Sequence, residues 1–313
     1  MNSWNQENWP TKIQVVEVGP RDGFQNIAEF IPTEDKVAII KALIGAGIRQ
    51  IELTSFVHPK AIPQLADAAQ VVQAVLADVA DVPDGDFTPI ALVPNLVGAK
   101  AAWEAGLREI TYVISASEKH NQANVKRTIE ESLAGLEQIS KELPEMKIRL
   151  DMATAFGCPF GGQVNDEQVM NLARKALELG AREVVLCDTI GVANPFQVNR
   201  ICTRILTEFS QIPVAVHLHD TRGLGLANTL AALAAGITKV ETSVGGLGGC
   251  PFAPGAAGNT ATEDLINMLQ NMNIDCNLDL NLYLAAVEMV KTRTAGRVTD
   301  HLSQACLYDG LNF

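Results

Sequence analysis

LAAGITKVET, Leu233 to Thr242, packs a helix end, a glycine, a short polar link and a strand start into one phrase. Leu-Ala-Ala closes an amphipathic run, Gly236 stands where a left-handed helix cap is wanted, and Lys-Val-Glu-Thr begins an extended stretch. The same phrase recurs as IGAGIRQIEL (Ile44–Leu53), WEAGLREITYV (Trp103–Val113) and LELGAREVVL (Leu177–Leu186), with Gly47, Gly106 and Gly180 in the capping place. Working outward, short apolar runs read as strands at Ile13–Val18, Arg49–Leu53, Pro89–Val93, Glu109–Ile114, Lys147–Ala153, Glu183–Cys187, Pro213–His217 and Lys239–Ser243. Helical patterns lie between them, among them Thr33–Gly45, Gln64–Leu76, Asn124–Ile139, Asn165–Leu179, Phe196–Phe209 and Leu226–Ala235. Eight strands alternating with helices predict an α/β fold, a (β/α)8 TIM barrel, with additional helices after Ala261, one of them Leu280–Lys291.

No Pro- or Ser-rich linker interrupts the pattern, and Asp81–Asp86 reads as a polar loop, so one domain is expected over residues 1–313. With 47% hydrophobic and 19% charged residues the composition is that of a globular protein. A net charge of −12 argues against nucleic acid or an anionic membrane as the main partner. An anionic small ligand would need local basic residues, and Lys119, Lys126 and Arg127 form one such cluster. The cysteines at 158, 187, 202, 250, 276 and 306 show no Cys-x-x-Cys pair, which suits reduced thiols in a cytoplasmic enzyme. Neither a signal-peptide core nor a membrane-length apolar run is present in the sequence.

In a barrel of this kind, chemistry sits at the C-terminal ends of the strands. There the sequence places Arg21 and Asp22 in GPRDGFQ, Glu52 and Ser55 in IELTSF, Asp188 in LCDTIG, and His217 and His219 in HLHDT. Two histidines two residues apart on a strand share a face, which favours a common metal ion over two unrelated core residues. Asp22 from strand one and Asn259, beyond strand eight, would add oxygen donors. Two nitrogens, two oxygens and positions left for water or substrate suit Mg²⁺ or Mn²⁺ better than tetrahedral Zn²⁺.

Arg21 beside Asp22 is placed to stabilise an oxyanion. Glu17 and Glu52, carboxylates in apolar strands, are expected to orient Arg21 and the ligands. Asp188 reads either as a supporting acid or as the proton acceptor. Gln25, Ser55 and Arg222 are candidate substrate contacts. Beyond strand eight, VETSVGGLGGCPFAPGAAGN (Val240–Asn259) surrounds Cys250 with glycine, a setting for a mobile loop whose thiol moves a proton on closure.

VEVGPRDGFQN, IELTSFVHPKAIPQ, DTIGVANP, AVHLHDTRGLGLANTL and GGLGGCPFAPGAAGNTATEDL together closely resemble the 3-hydroxy-3-methylglutaryl-CoA lyase family of metal-dependent TIM-barrel lyases. The resemblance runs from about Ile13 to about Lys291. It implies metal binding by Asp22, His217, His219 and Asn259, catalytic Arg21 and Cys250, supporting Glu52 and Asp188, and Glu263 near the site. It further implies an acyl-CoA substrate, a homo-oligomeric (dimeric) enzyme, and retro-Claisen cleavage of a tertiary 3-hydroxyacyl-CoA to acetyl-CoA and a keto acid. Arg222 stands where many members have Tyr, Leu224-Gly225 replaces a more polar Gln-Ala, and Gly161-Gly162 follows FGCP where an acidic or bulkier residue is expected. These departures bear on which acyl group is cleaved: 3-hydroxy-3-methylglutaryl, or a relative such as citramalyl. A synthase of the isopropylmalate or citramalate type is disfavoured, because only a short tail follows the eighth helix and the histidine motif continues Asp-Thr. A non-catalytic acyl-CoA-binding barrel fits least.

Overall fold

A computed structural model describes residues 9–79, 87–249 and 258–305. The strands β1 (Gln14–Glu17), β2 (Gln50–Ser55), β3 (Thr88–Val93), β4 (Glu109–Ser115), β5 (Lys147–Ala153), β6 (Glu183–Asp188), β7 (Val214–Leu218) and β8 (Lys239–Thr242) close a parallel barrel in sequence order. β8 completes the ring by pairing with β1, Gln14 opposite Lys239 and Glu17 opposite Thr242. The outer ring comprises α1 (Thr33–Gly45), α2 (Ala68–Asp78), α3 (Leu96–Glu104), α4 (Glu118–Val125), α5 (Ile129–Glu142), α6 (Asp166–Glu178), α7 (Pro195–Glu208), α8 (Gly225–Ala234) and α9 (Thr262–Asn271), followed by α10 (Leu280–Arg293) against α1. Among the described residues no helix is long and apolar enough to cross a membrane.

The repeated glycine phrase does what its chemistry requires. Gly47, Gly106, Gly180 and Gly236 all have φ between 101° and 118°, a backbone region that side chains with a Cβ rarely occupy, and each lets a helix stop and the next strand turn inward.

Two helix boundaries differ from expectation. The pattern read as one helix over Asn124–Ile139 is two helices, α4 and α5, broken where Lys126 takes φ 58° and Thr128 caps α5. Thr128 accepts from the Glu131 N–H while the Glu131 side chain accepts from the Thr128 N–H, a reciprocal cap that starts a new helix regardless of the apolar period running through it. The segment expected to be helical from Gln64 begins instead with a 3-10 turn at Pro63–Leu65, and α2 starts at Ala68.

Candidate metal and acyl-CoA site

β1 ends in a single π-type turn, Gly19–Gly23, in which the Phe24 N–H reaches the Gly19 carbonyl. This wide turn brings consecutive residues, Arg21 and Asp22, into the barrel mouth. Arg21 donates through Nε to Glu52 and through Nη1 to Asp22 Oδ1 at 2.6 Å. Gln25 donates to the same Oδ1 at 2.8 Å, so Gln25 fixes the proposed ligand carboxylate. The other oxygen, Oδ2, accepts from Asn259 Nδ2 at 2.7 Å.

Across the mouth, His217 and His219 face each other with their Nε2 atoms 3.2 Å apart. Glu241 Oε2 holds His217 Nδ1 at 2.9 Å, which fixes the ring and leaves Nε2 turned inward. One ligand atom from each of Asp22, His217 and His219 lies within 4.8 Å of the others, and all three residues are buried. Asn259 pairs with His219 through an antiparallel bridge, and its Oδ1 is buried without a hydrogen-bond partner. An anionic oxygen, two imidazole nitrogens and an orphaned amide oxygen make a donor set that fits a hexacoordinate divalent cation.

The charges around this set agree with that use. Burial opposes ionisation of Asp22, but Arg21, the two imidazoles and Asn259 outweigh it and bring its carboxyl down to about 2. Burial and the neighbouring His217 hold His219 at about 4, hence neutral with a lone pair for a ligand. Gly248, at φ 128°, abuts the set so closely that a Cβ there would lie 2.5 Å from Asn259 Nδ2. Glycine at this point of the loop lets the backbone run directly over the proposed ligands.

Other sequence candidates fall elsewhere. Glu17 contacts neither Arg21 nor a proposed ligand; it accepts from Gly19 N–H at 2.7 Å, Val244 N–H at 2.9 Å, Thr262 Oγ1 at 2.9 Å and Tyr283 Oη. It gathers the segment after β8, α9 and α10 around the end of β1. Asp188 accepts the Val192 and Ala193 N–H groups at 2.9 and 3.0 Å, so both oxygens hold the loop after β6. Burial raises its carboxyl from the ordinary value against those two bonds. Arg222 donates to the Ile190 and Gly191 carbonyls at 2.5 and 3.0 Å, so its guanidinium is tied to that same loop. Ser55 is buried with its hydroxyl unpaired. Glu263 lies under the glycine-rich loop, accepting from Gly245 N–H at 3.2 Å, and burial followed by Asp300 raises it well above the carboxylate range. Cys250 lies outside the described residues, and the preceding Gly249 lines the cavity.

Sequence reading passed over Asp151, Arg149 and Glu241. Arg149 and Asp151 sit two apart on β5, the spacing that put His217 and His219 on one face, so the same argument would have put these two on one face of their strand. Arg149 donates to Glu183 at 3.0 Å and Glu241 at 2.6 Å. Asp151, one layer nearer the mouth, lines a cavity of about 790 Å³ that also exposes Arg21, Asp22, His217, His219, Lys126 and Arg127.

A closed parallel barrel with a buried Asp-His-His cluster at its C-terminal mouth defines a TIM-barrel enzyme of the divalent-metal type. The chain belongs to the HMGL-like family, whose model matches residues 12–290. It is 44% identical over 287 residues to a hydroxymethylglutaryl-CoA lyase of Bacillus subtilis, spanning 91% of this chain and 94% of that protein. An (R)-citramalyl-CoA lyase of Chloroflexus aurantiacus is 38% identical over 291 residues, 91% of this chain and 92% of that one. The solved structure of an Acinetobacter baumannii HMG-CoA lyase with coenzyme A and 3-methylmalate superposes with a TM-score of 0.89 at 39% identity, covering 96% and 97% of the two chains.

Proposed function

We propose that this protein is a carbon–carbon lyase that cleaves 3-hydroxy-3-methylglutaryl-CoA to acetyl-CoA and acetoacetate. The observation that carries this reading is the convergence of Asp22, His217 and His219 on one point of a cavity in a chain 44% identical, over nearly its whole length, to a lyase of that name.

Asp22, His217, His219 and Asn259 would hold Mg²⁺ or Mn²⁺. When bound, the cation supplies Lewis acidity, lowering the pKa of the substrate's tertiary alcohol. Arg21, kept charged by Glu52 and Asp22 against the cost of burial, offers a fixed cation to negative charge growing on the thioester oxygen as the carbon–carbon bond breaks. Glu52 and Gln25 keep Arg21 and Asp22 in register. The hydroxyl proton leaves to a base in the site, the bond electrons pass to the thioester enolate, and Cys250 protonates the enolate carbon to give the methyl group of acetyl-CoA. Lys126 and Arg127 on the cavity wall bring positive charge for the CoA phosphates.

The 38% identity to a citramalyl-CoA lyase supports a second substrate reading, with pyruvate as the keto acid. One assay tests both: release of acetyl-CoA and keto acid from 3-hydroxy-3-methylglutaryl-CoA and citramalyl-CoA, before and after chelation and after return of Mg²⁺ or Mn²⁺. Acetoacetate from the first ester, abolished by chelator and restored by metal, is the expected result. Cleavage of citramalyl-CoA alone transfers the reading to the second ester, and full turnover in metal-free protein overturns the ligand assignment.

A further inference from the structure

Asp151 presents a carboxyl group inside the barrel with neither oxygen hydrogen-bonded among the described residues, and its Oδ1 is fully enclosed. The residue is only 5% exposed and lines the cavity beside Arg21, His217 and His219. The two guanidinium groups that act on it are engaged elsewhere, Arg21 with Glu52 and Asp22, Arg149 with Glu183 and Glu241. Burial, then Glu241 and Glu52, push the Asp151 carboxyl well above its ordinary range, which favours the protonated form, able to donate as well as accept. A buried polar group without a partner is costly in an apolar or enclosed setting, and a cavity opening onto it lets a ligand supply the partner. Its depth decides which part of the ligand: Asp151 shares the floor with Arg21 and the proposed metal ligands, and the basic residues Lys126 and Arg127 come from the α4–α5 connection.

We propose that Asp151 is a substrate-contacting residue that hydrogen-bonds an oxygen of the acyl group from the cavity floor and so discriminates among 3-hydroxyacyl groups. This rests on the lyase reading above. A site built around a polar partner rejects an acyl group that misplaces the matching oxygen far more strongly than an apolar pocket rejects a change of one methylene. 3-Hydroxy-3-methylglutaryl-CoA and citramalyl-CoA differ by one methylene that shifts the distal carboxylate, so they are suited to reading the contact.

The experiment compares the wild-type protein with Asp151→Leu and Asp151→Asn, measuring kcat and KM for both esters, the Kd of free CoA by calorimetry, and Tm. Asp151→Leu is expected to lower kcat/KM for the better ester by about 10- to 100-fold. It should also change the ratio between the two esters by more than about fivefold while CoA affinity stays within about twofold, since the CoA half lies beyond its reach. Asp151→Asn, which keeps a donor at the same place, should restore kcat/KM to within about fivefold of wild type. The inference is overturned if Asp151→Leu retains wild-type kcat/KM, if both esters and free CoA weaken in step, or if Asp151→Asn does no better than Asp151→Leu. Should Asp151→Leu lose its folding transition, Asp151→Ser takes its place in the same comparison. A wild-type protein that cleaves neither ester brings down the functional reading and this inference together; active wild type with indifferent variants brings down the inference alone.

Discussion

Two layers of buried charge lie inside the barrel, and they are finished differently. In the lower layer Arg149 is tied to Glu183 and Glu241, Lys239 reaches Glu183 at 2.8 Å, and Gln50 donates to Glu109 at 2.8 Å. Most of its donors and acceptors meet inside the protein, with Arg149 Nη1 and Thr111 Oγ1, opposite each other on β5 and β4, left over among the described residues. In the upper layer His219 Nδ1, Asn259 Oδ1, Ser55 Oγ and Asp151 Oδ1 are all buried and unpartnered. The same solvent-poor interior therefore holds a self-satisfied layer and an unsatisfied one, a few residues apart on the same strands. Buried polar groups are normally paired, so the contrast separates a structural floor from a surface made for something that arrives later.

Arg149→Met strikes the floor and gives the largest expected effect, a loss of roughly 3–5 kcal/mol in folding stability, because the buried acids Glu241 and Glu183 lose their shared guanidinium and keep only His217 and Lys239. Urea unfolding measures it; a variant of unchanged stability but reduced turnover would erase the distinction between the layers. Arg21→Met strikes the upper layer and is expected to lower kcat by roughly 10²- to 10³-fold, with KM changed less, because the lost interaction is made with charge that develops only during bond breaking. Steady-state kinetics on the preferred ester checks this, and a rise in KM at constant kcat would make Arg21 a simple binding group.

Glu241 belongs to both layers, Oε1 on Arg149 and Oε2 on His217. Burial opposes its ionisation, but Arg149 and His217 bring it down to about 2. Glu241→Gln should weaken divalent-metal affinity by about 10- to 100-fold, measured by competition with a chromophoric chelator, since the partner that orients a ligand histidine is weakened. An unchanged affinity would confine Glu241 to the floor.

The smallest effect is expected outside both layers, at Glu17, whose partners come from the segment after β8 and from α9 and α10. Burial raises Glu17 from 4.5 to about 7 in spite of its four donors. With the folded value above the unfolded one, its contribution to stability is complete below about pH 4.5 and is lost as pH rises through about 7. Tyr283→Phe removes one donor and should carry that loss to still higher pH. The deficit in stability should be about 1–2 kcal/mol at pH 8 and smaller at pH 5, read from thermal unfolding at both. An equal deficit at the two pH values would mean that the hydroxyl does not serve the ionised carboxylate.

The fold was legible because its signals are local. A helix end, a glycine and a strand start lie within ten residues at Leu233–Thr242, and the φ values of the four capping glycines match that reading. The histidine pair was legible for the same reason, since strand periodicity puts His217 and His219 on one face. Asp151 and Glu241 were hidden because the strands of a closed parallel barrel are buried on both sides, and alternation of polar and apolar residues no longer separates inside from outside. The break between α4 and α5 was present as Thr128-x-x-Glu131, but it is embedded in an otherwise continuous apolar period. The job of Glu17 depends on partners 227 to 266 residues away, a distance at which no pattern in the chain points to them.

That last separation orders events during synthesis. Glu17 emerges from the ribosome well before the groups that receive it, at Val244, Thr262 and Tyr283, which are translated after all eight strands of the barrel. Until then β1 lacks β8 beside it, and a nascent chain carries its first strand with an unreceived acid at the end. Contacts between segments so far apart in the chain are slow to form, because the loop-closure entropy must be met first. A shortened translation product ending before Tyr283 would therefore hold Arg21 and Asp22 in sequence without the scaffold that aims them, so the first strand of the site waits on almost the last helix of the fold.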